Sequence, residues 1–214
     1  MSVATVERAA LDSSLAEVTP TVTAPRYAAF EPVQLGRWRF VHAANGMFIE
    51  ARSPALYARL QISPALGAPY GEIEPAVHLL GGRVGSDIAD AIAERALQWS
   101  ATEWAGVVVY DHDAQRYRLI EPQVRSRSGT HITYERVDRD PRFTTVVDVH
   151  THGYGRARFS PQDDDSDTDG FYIAVVLGGC QSRASLQWSA RIAIYGRYVP
   201  IQWLPWEDWS CSDS

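Results

Sequence analysis

The apolar positions of this chain recur mostly at every second residue, and switch to a helical period in one clear segment. Residues 37–43 (RWRFVHA) and 47–51 (MFIEA) read as two strands around Asn45-Gly46, a strong hairpin signal. Ser53-Pro54 then predicts the start of a short helix, ALYARLQI, and Pro64, Pro69 and Gly71 break the segment after it. Gly81, Gly82 and Gly85 mark a boundary, after which Ser86 is expected to cap a helix, DIADAIAERALQW. In that helix Ile88, Ile92, Ala96 and Trp99 form one apolar face, which predicts ordinary core packing. Val107–Tyr110 reads as a buried strand, followed by a polar turn (DHDAQ) and the strand YRLIEP. SRSGT turns into a strand HITYERV, and residues 144–150 (TTVVDVH) form another. Ser160-Pro161 is a helix start, with serine as cap and proline at the first helical position. Residues 171–179 and 186–196 are expected strands, with YVPIQWL after them.

This pattern predicts three regions. Residues 1–26, rich in Ala, Val, Thr and Ser and poor in periodicity, read as an arm. Residues 27–82 read as a small α+β unit, in which His42 and Glu50 are expected at the surface. Residues 83–214 form the main domain, ending in a Trp-rich tail. There Trp203, Trp206 and Trp209 either pack back on the domain or form a partner-binding patch. The length of 214 residues, 45% of them hydrophobic, is enough for a sizeable core. The net charge of -6, with no basic tract, argues against a nucleic-acid surface. Cys180 and Cys211 lack metal spacing and fit a reducing, cytoplasmic setting. No apolar run approaches the roughly 18 residues of a membrane span, and no signal peptide is expected at the N-terminus.

The chemistry concentrates in DVHTHGYGRARFSPQDDDSD, residues 148–167. His150 and His152 stand one residue apart at a strand end, so they share a face. Asp163 lies in the first helical turn after Ser160, where a carboxylate can reach back toward the histidines. Two nitrogens and one carboxylate oxygen make three zinc ligands and leave a fourth tetrahedral position for water, the arrangement of a catalytic zinc site. Glu103, in E-x-x-G with Gly106, stands at the mouth of the strand 107–110, where a general base would be needed. The other acidic residues, Asp164, Asp165, Asp167 and Asp169, read as a solvated helix face. In the spacer, Tyr154, Arg156 and Arg158 either guide an extended substrate or line a solvated loop.

A distant glutamate followed by H-x-H-x7-S-x2-D resembles the JAB/MPN domain of JAMM metalloproteases, over about residues 83–200. The NGMFIEARSP segment, EWAG and His152-Gly153 more closely resemble the A-protein family of the bacterial PRTRC cassette. Many JAMM peptidases carry proline after the second histidine, so Gly153 is a departure, and it predicts a looser loop. The resemblance implies an α/β (α+β) fold, with a curved mixed sheet flanked by helices in three layers. It implies one zinc per chain on His150, His152 and Asp163, with Glu103 as general base and Ser160 donating to the oxyanion or holding the water. The implied reaction is hydrolysis of an amide or isopeptide bond after the C-terminal glycine of a ubiquitin-like protein. A ThiF-like activating enzyme from the same cassette is the implied second partner. Other readings are a non-catalytic scaffold and an amidohydrolase that frees an amine from a carrier protein. A RadC-like, DNA-linked branch has a longer Gly-Pro spacer that this acidic chain lacks.

Overall fold

The computed structural model describes residues 14, 17, 20–65, 67–127, 132–135, 137 and 140–207. The chain divides into two compact units, Met1–His78 and Leu79–Ser214, a boundary just ahead of the glycine cluster.

The first unit is built on a five-stranded sheet in the order β1 (Thr21–Thr23), β2 (Arg37–Ala43), β3 (Gly46–Arg52), β4 (Leu56–Pro64), β5 (Ala76–Leu79). β1 runs parallel to β2, with Thr21 opposite Phe40, so part of the stretch expected as an arm is sheet. Most of residues 1–19 lie outside the described residues. The β2–β3 hairpin forms as expected, but its turn is Ala44-Asn45, and Ala43 pairs with Gly46. Gly46 has φ +144°, and a Cβ there would sit 2.3 Å from the Ser63 carbonyl oxygen. Asn45 instead ties the turn down, donating from Nδ2 to the Ile73 carbonyl (2.8 Å) and accepting the Ile73 N–H.

The helix expected after Ser53-Pro54 is a strand. Ser53 Oγ accepts the Leu56 N–H at 3.0 Å in a tight turn, and β4 then pairs antiparallel with β3. Leu56 and Leu60 satisfy both a period of 3.6 and a period of two, so the pattern alone was ambiguous, and cross-strand pairing decides it. Glu50, expected at the surface, is fully buried. Its carboxylate accepts Arg39 Nε (2.6 Å), Tyr57 Oη (2.6 Å) and the Val33 N–H (3.2 Å). A buried charge persists only when so paired and hydrogen-bonded. Burial, and then the Glu50 contact, push the Tyr57 hydroxyl well above its ordinary pKa.

The second unit holds a six-stranded mixed sheet. Its order is β13 (Arg197–Ile201), β12 (Gln187–Ile194), β11 (Phe171–Gly178), β10 (Phe143–Thr151), β6 (Ala105–Asp111), β7 (Arg116–Ile120). β10 and β11 are parallel and the other neighbours antiparallel. β11 is buried along its whole length, as its continuous apolar run requires of a central strand. β8 (Val124–Arg127) and β9 (Ile132–Tyr134) form a separate hairpin. Helix α1 (Ser86–Gln98) buries Ile88, Ile92 and Ala96, the face its spacing predicts; Gly85 is its cap and Ser86 its first helical residue. Helix α2 (Pro161–Ser166) follows the site-bearing strand. The fold is therefore mixed α+β, dominated by sheet. No described helix is long and apolar enough to cross a membrane. Trp203 and Trp206 are half-buried; Trp209 and Cys211 lie outside the described residues.

Candidate metal centre

Alternation along β10 separates chemistry from core. Val147, Val149 and Thr151 are buried on one side, while Asp148 and His150 face the other, partly buried. His152 stands just past the strand end and keeps its place through its N–H, which bonds the Leu177 carbonyl of β11 at 2.8 Å. Both histidines therefore turn to the same side, as the spacing requires. Across from them, Ser160 caps α2 and Pro161 opens it. Ser160 and Asp163 form a reciprocal capping box: Asp163 N–H bonds Ser160 Oγ, and Asp163 Oδ2 accepts from the Ser160 N–H (2.5 Å) and Oγ (2.8 Å). That double hold leaves Oδ1 toward the histidines.

The resulting cluster is compact. His150 Nε2 lies 3.2 Å from His152 Nε2 and 3.1 Å from Asp163 Oδ1, and His152 Nε2 lies 3.7 Å from Asp163 Oδ2. Donors about 2.0–2.1 Å from a tetrahedral ion stand about 3.3 Å apart. Two imidazoles and a carboxylate at 3.1–3.7 Å thus fit a single zinc-sized ion. This is the one group of potential metal ligands found among the described residues. His152 Nδ1 lies 3.3 Å from the Arg156 carbonyl, which orients the ring with Nε2 inward.

The electrostatics reflect this crowding. Burial of the His150 ring opposes its charged form, but the Asp163 carboxylate, with Asp148 and Glu103 beyond it, outweighs burial and raises its pKa. Burial, and then the neighbouring His150, lower that of His152. Burial alone would raise Asp163; His150 and the Ser160 donors override it and hold the carboxyl well below the usual range. Protons and a cation compete for the same atoms, so metal affinity falls as pH falls.

A cavity of about 250 Å³ adjoins the cluster, and Glu103 lines it together with His150 and Asp163. Glu103 is 5% exposed and sits just before β6. The structure thus brings together Glu103, His150, His152, Ser160 and Asp163, whose extremes stand 60 residues apart in sequence. Tyr154, Arg156 and Arg158 lie on the loop between β10 and α2, and all three are exposed.

Several neighbours went unread in the sequence. Asp148 lines the cavity and accepts a hydrogen bond from Tyr134 of the β8–β9 hairpin. Its signal was available, since a residue two before His150 shares its face. Burial, and then Asp148, raise the Tyr134 pKa. Thr151, between the histidines, bonds the Trp104 backbone. Arg191 of β12 underpins α2: Nη1 bonds Asp164, Nη2 bonds Asp167 at 2.6 Å, and its guanidinium lies 3.9 Å from the Phe159 ring and 4.0 Å from that of Tyr198. The acidic run is therefore partly internal, with Asp167 buried, and is not simply a solvated face.

Gly153 also differs from expectation. Its φ is +52°, which proline cannot adopt, and a Cβ there would lie 2.7 Å from the Ser100 carbonyl oxygen. Its own carbonyl accepts the Cys180 N–H at 2.9 Å, and Gly155 binds back to His152. The glycine draws the loop close instead of loosening it.

A mixed sheet that presents two imidazoles from a strand end and a carboxylate from a capped helix, with a buried glutamate beside them, defines a JAB/MPN-type domain. The chain belongs to the prokaryotic homologs of the JAB domain, whose family model matches residues 85–191, half of its length. Residues 9–80 match a domain of unknown function, DUF2016. No curated protein matches the chain. Among solved structures, the solution structure of protein DSY2949 from Desulfitobacterium hafniense is similar at 13% identity and a TM-score of 0.43, over 56% of this chain and 88% of that one.

Proposed function

We propose that this chain is a zinc-dependent peptidase or isopeptidase that hydrolyses the amide bond after the C-terminal glycine of a ubiquitin-like protein. One observation carries the reading: three donor atoms lie within 4.8 Å of one another, and the buried Glu103 lines the same cavity as two of their residues. His150, His152 and Asp163 would hold one zinc per chain. Zinc in such a site supplies the Lewis acidity that makes water a nucleophile at neutral pH.

Glu103 takes the proton from the attacking water and returns it to the leaving amine. Ser160 serves two groups. Its N–H and hydroxyl both reach Asp163 Oδ2, so the hydroxyl can turn to the tetrahedral oxyanion while the N–H still holds the carboxylate. Tyr154, Arg156 and Arg158 border the approach of an extended tail. The resemblance to a cassette with a ThiF-like activating enzyme supports the substrate class and makes that enzyme the second partner, in a reducing cytoplasm.

Metal analysis of the full chain is the first test. About one zinc per wild-type chain, lost in Asp163→Ala, is expected. Glu103→Gln should retain zinc and lose hydrolysis of the coumarin amide of a ubiquitin-like C-terminal tail. Folded wild-type protein that takes up no zinc would overturn the hydrolase and leave a binding scaffold.

A further inference from the structure

We propose that Thr151 is a positioning residue, whose hydroxyl sets Glu103 beside the metal site by gripping the Trp104 backbone; this rests on the hydrolase reading above. Thr151 stands between the two histidines, but its side chain points to the opposite side of β10 and is fully buried. It cannot touch a ligand held by them. Its contacts run to the neighbouring chain segment. The antiparallel ladder between β10 and β6 runs out at His150 opposite Ala105. The next pair would be Thr151 with Trp104, and half of it forms normally, with the Thr151 N–H on the Trp104 carbonyl at 2.9 Å.

The reciprocal bond departs from a sheet. Trp104 N–H goes to Thr151 Oγ1, at 2.9 Å, in place of a backbone carbonyl. One residue thus satisfies both backbone polar groups of Trp104, and a side chain marks the point where the chain leaves the ladder. The residue immediately before is Glu103, which lines the cavity with His150 and Asp163.

Trp104 is fixed from its other end as well. The residue is 1% exposed and its ring lies over Gly106, where a Cβ would come 2.4 Å from Cη2, and its Nε1 donates to Glu121 at 3.4 Å. With the indole locked, the backbone grip at Thr151 decides how Glu103 is presented. Valine has the shape of threonine without the hydroxyl. It would leave a buried N–H with no acceptor, and a buried amide moves to regain one. A general base works within hydrogen-bond reach of the proton it takes, and about 1 Å of misplacement can cost about 10²-fold in rate.

The test compares wild type, Thr151→Val, Thr151→Ser and Glu103→Gln as full chains loaded with zinc. Three readouts are needed: zinc stoichiometry, kcat and KM on the tail coumarin amide, and hydrogen exchange at the Trp104 amide. The valine variant should keep its zinc and KM, lose about 10²-fold in kcat, and exchange Trp104 faster. Serine, which keeps the hydroxyl, should restore kcat and slow exchange. Wild-type kcat in the valine variant, or failure of serine to restore it, overturns the proposal. A valine variant that loses zinc or its fold does so equally, since the hydroxyl would then serve the whole domain. Inactive Glu103→Gln beside a fully active valine variant refutes the positioning role alone. Wild-type rates in Glu103→Gln, or no cleavage by zinc-loaded wild type, refute the hydrolase reading and with it this role.

Discussion

Gly153 shows what a single residue's chemistry can hide. In the sequence it stood out as a missing proline beside the second histidine, and flexibility was the natural inference. Its backbone is left-handed at φ +52°, and its Cα approaches the Ser100 carbonyl too closely for any side chain. Gly153→Ala adds a methyl 2.7 Å from that oxygen, in a conformation L-residues avoid at about 1–2 kcal/mol. A loss of about 2–3 kcal/mol is therefore expected from the two effects together, read from chemical denaturation. Near-wild-type stability would mean that the loop has a second resting place. The grouping of His150, His152 and Asp163 was legible for the opposite reason. Their positions come from strand alternation and from a helix cap, both local rules, so His150, His152 and Asp163 could be read from spacing. Glu103, 47 residues before His150, could be nominated by chemistry but not located without the ladder between β6 and β10.

Helix α2 raises the question of how six residues hold the candidate ligand Asp163 still. An isolated helix of that length is unstable in water. Its start was visible in Ser160 and Pro161, but its anchor was not. Arg191 comes from a strand 27 residues beyond Asp164, and nothing in the sequence pairs them. The guanidinium, 6% exposed, bonds Asp164 and Asp167 while stacked between Phe159 and Tyr198. Tyr198 Oη also bonds the Asp164 carbonyl. Arg191→Met keeps the bulk and removes both ion pairs, leaving the buried Asp167 hydrogen-bonded to Tyr172 but without this cation. Breaking a buried pair from one side costs on the order of 3 kcal/mol. A loosened helix also weakens Asp163 as a ligand, so zinc affinity should fall about 10- to 100-fold. Arg191→Lys should not rescue it, because an ammonium neither forks to two carboxylates nor stacks between rings. Unchanged zinc affinity in Arg191→Met would show that the capping box alone holds the ligand.

Across the molecule, the sequence marked strands and the site more clearly than it marked which polar residues would be interior. Glu50 and Asp111 are both fully buried, and both lie in stretches that read as surface or turn. Their partners are arginines brought together by sheet register, which composition does not reveal. Asp111 is the more exacting case, since it closes the β6–β7 turn and ties it to the start of β10. It accepts Arg142 Nε (2.9 Å) and Nη2 (2.7 Å), Arg118 Nη1 (3.1 Å) and the Ala114 N–H (3.1 Å). Arg142 foremost, against the pull of burial, holds its carboxyl well below the usual range. A group with a depressed folded pKa binds its proton more weakly in the native state than in the unfolded one, whose value is about 3.9. Its contribution is therefore complete above that value and is lost as pH falls toward the folded pKa. The Asp111 contribution to stability should be level from about pH 7 to about pH 5 and decline below about pH 4. Asp111→Asn should be less stable at neutral pH, because the arginines lose their counter-charge, and its decline below about pH 4 should be shallower. Urea midpoints at a series of pH values measure both effects. Equal slopes in the two proteins would place the acid sensitivity in other carboxylates and reduce Asp111 to a neutral turn-former.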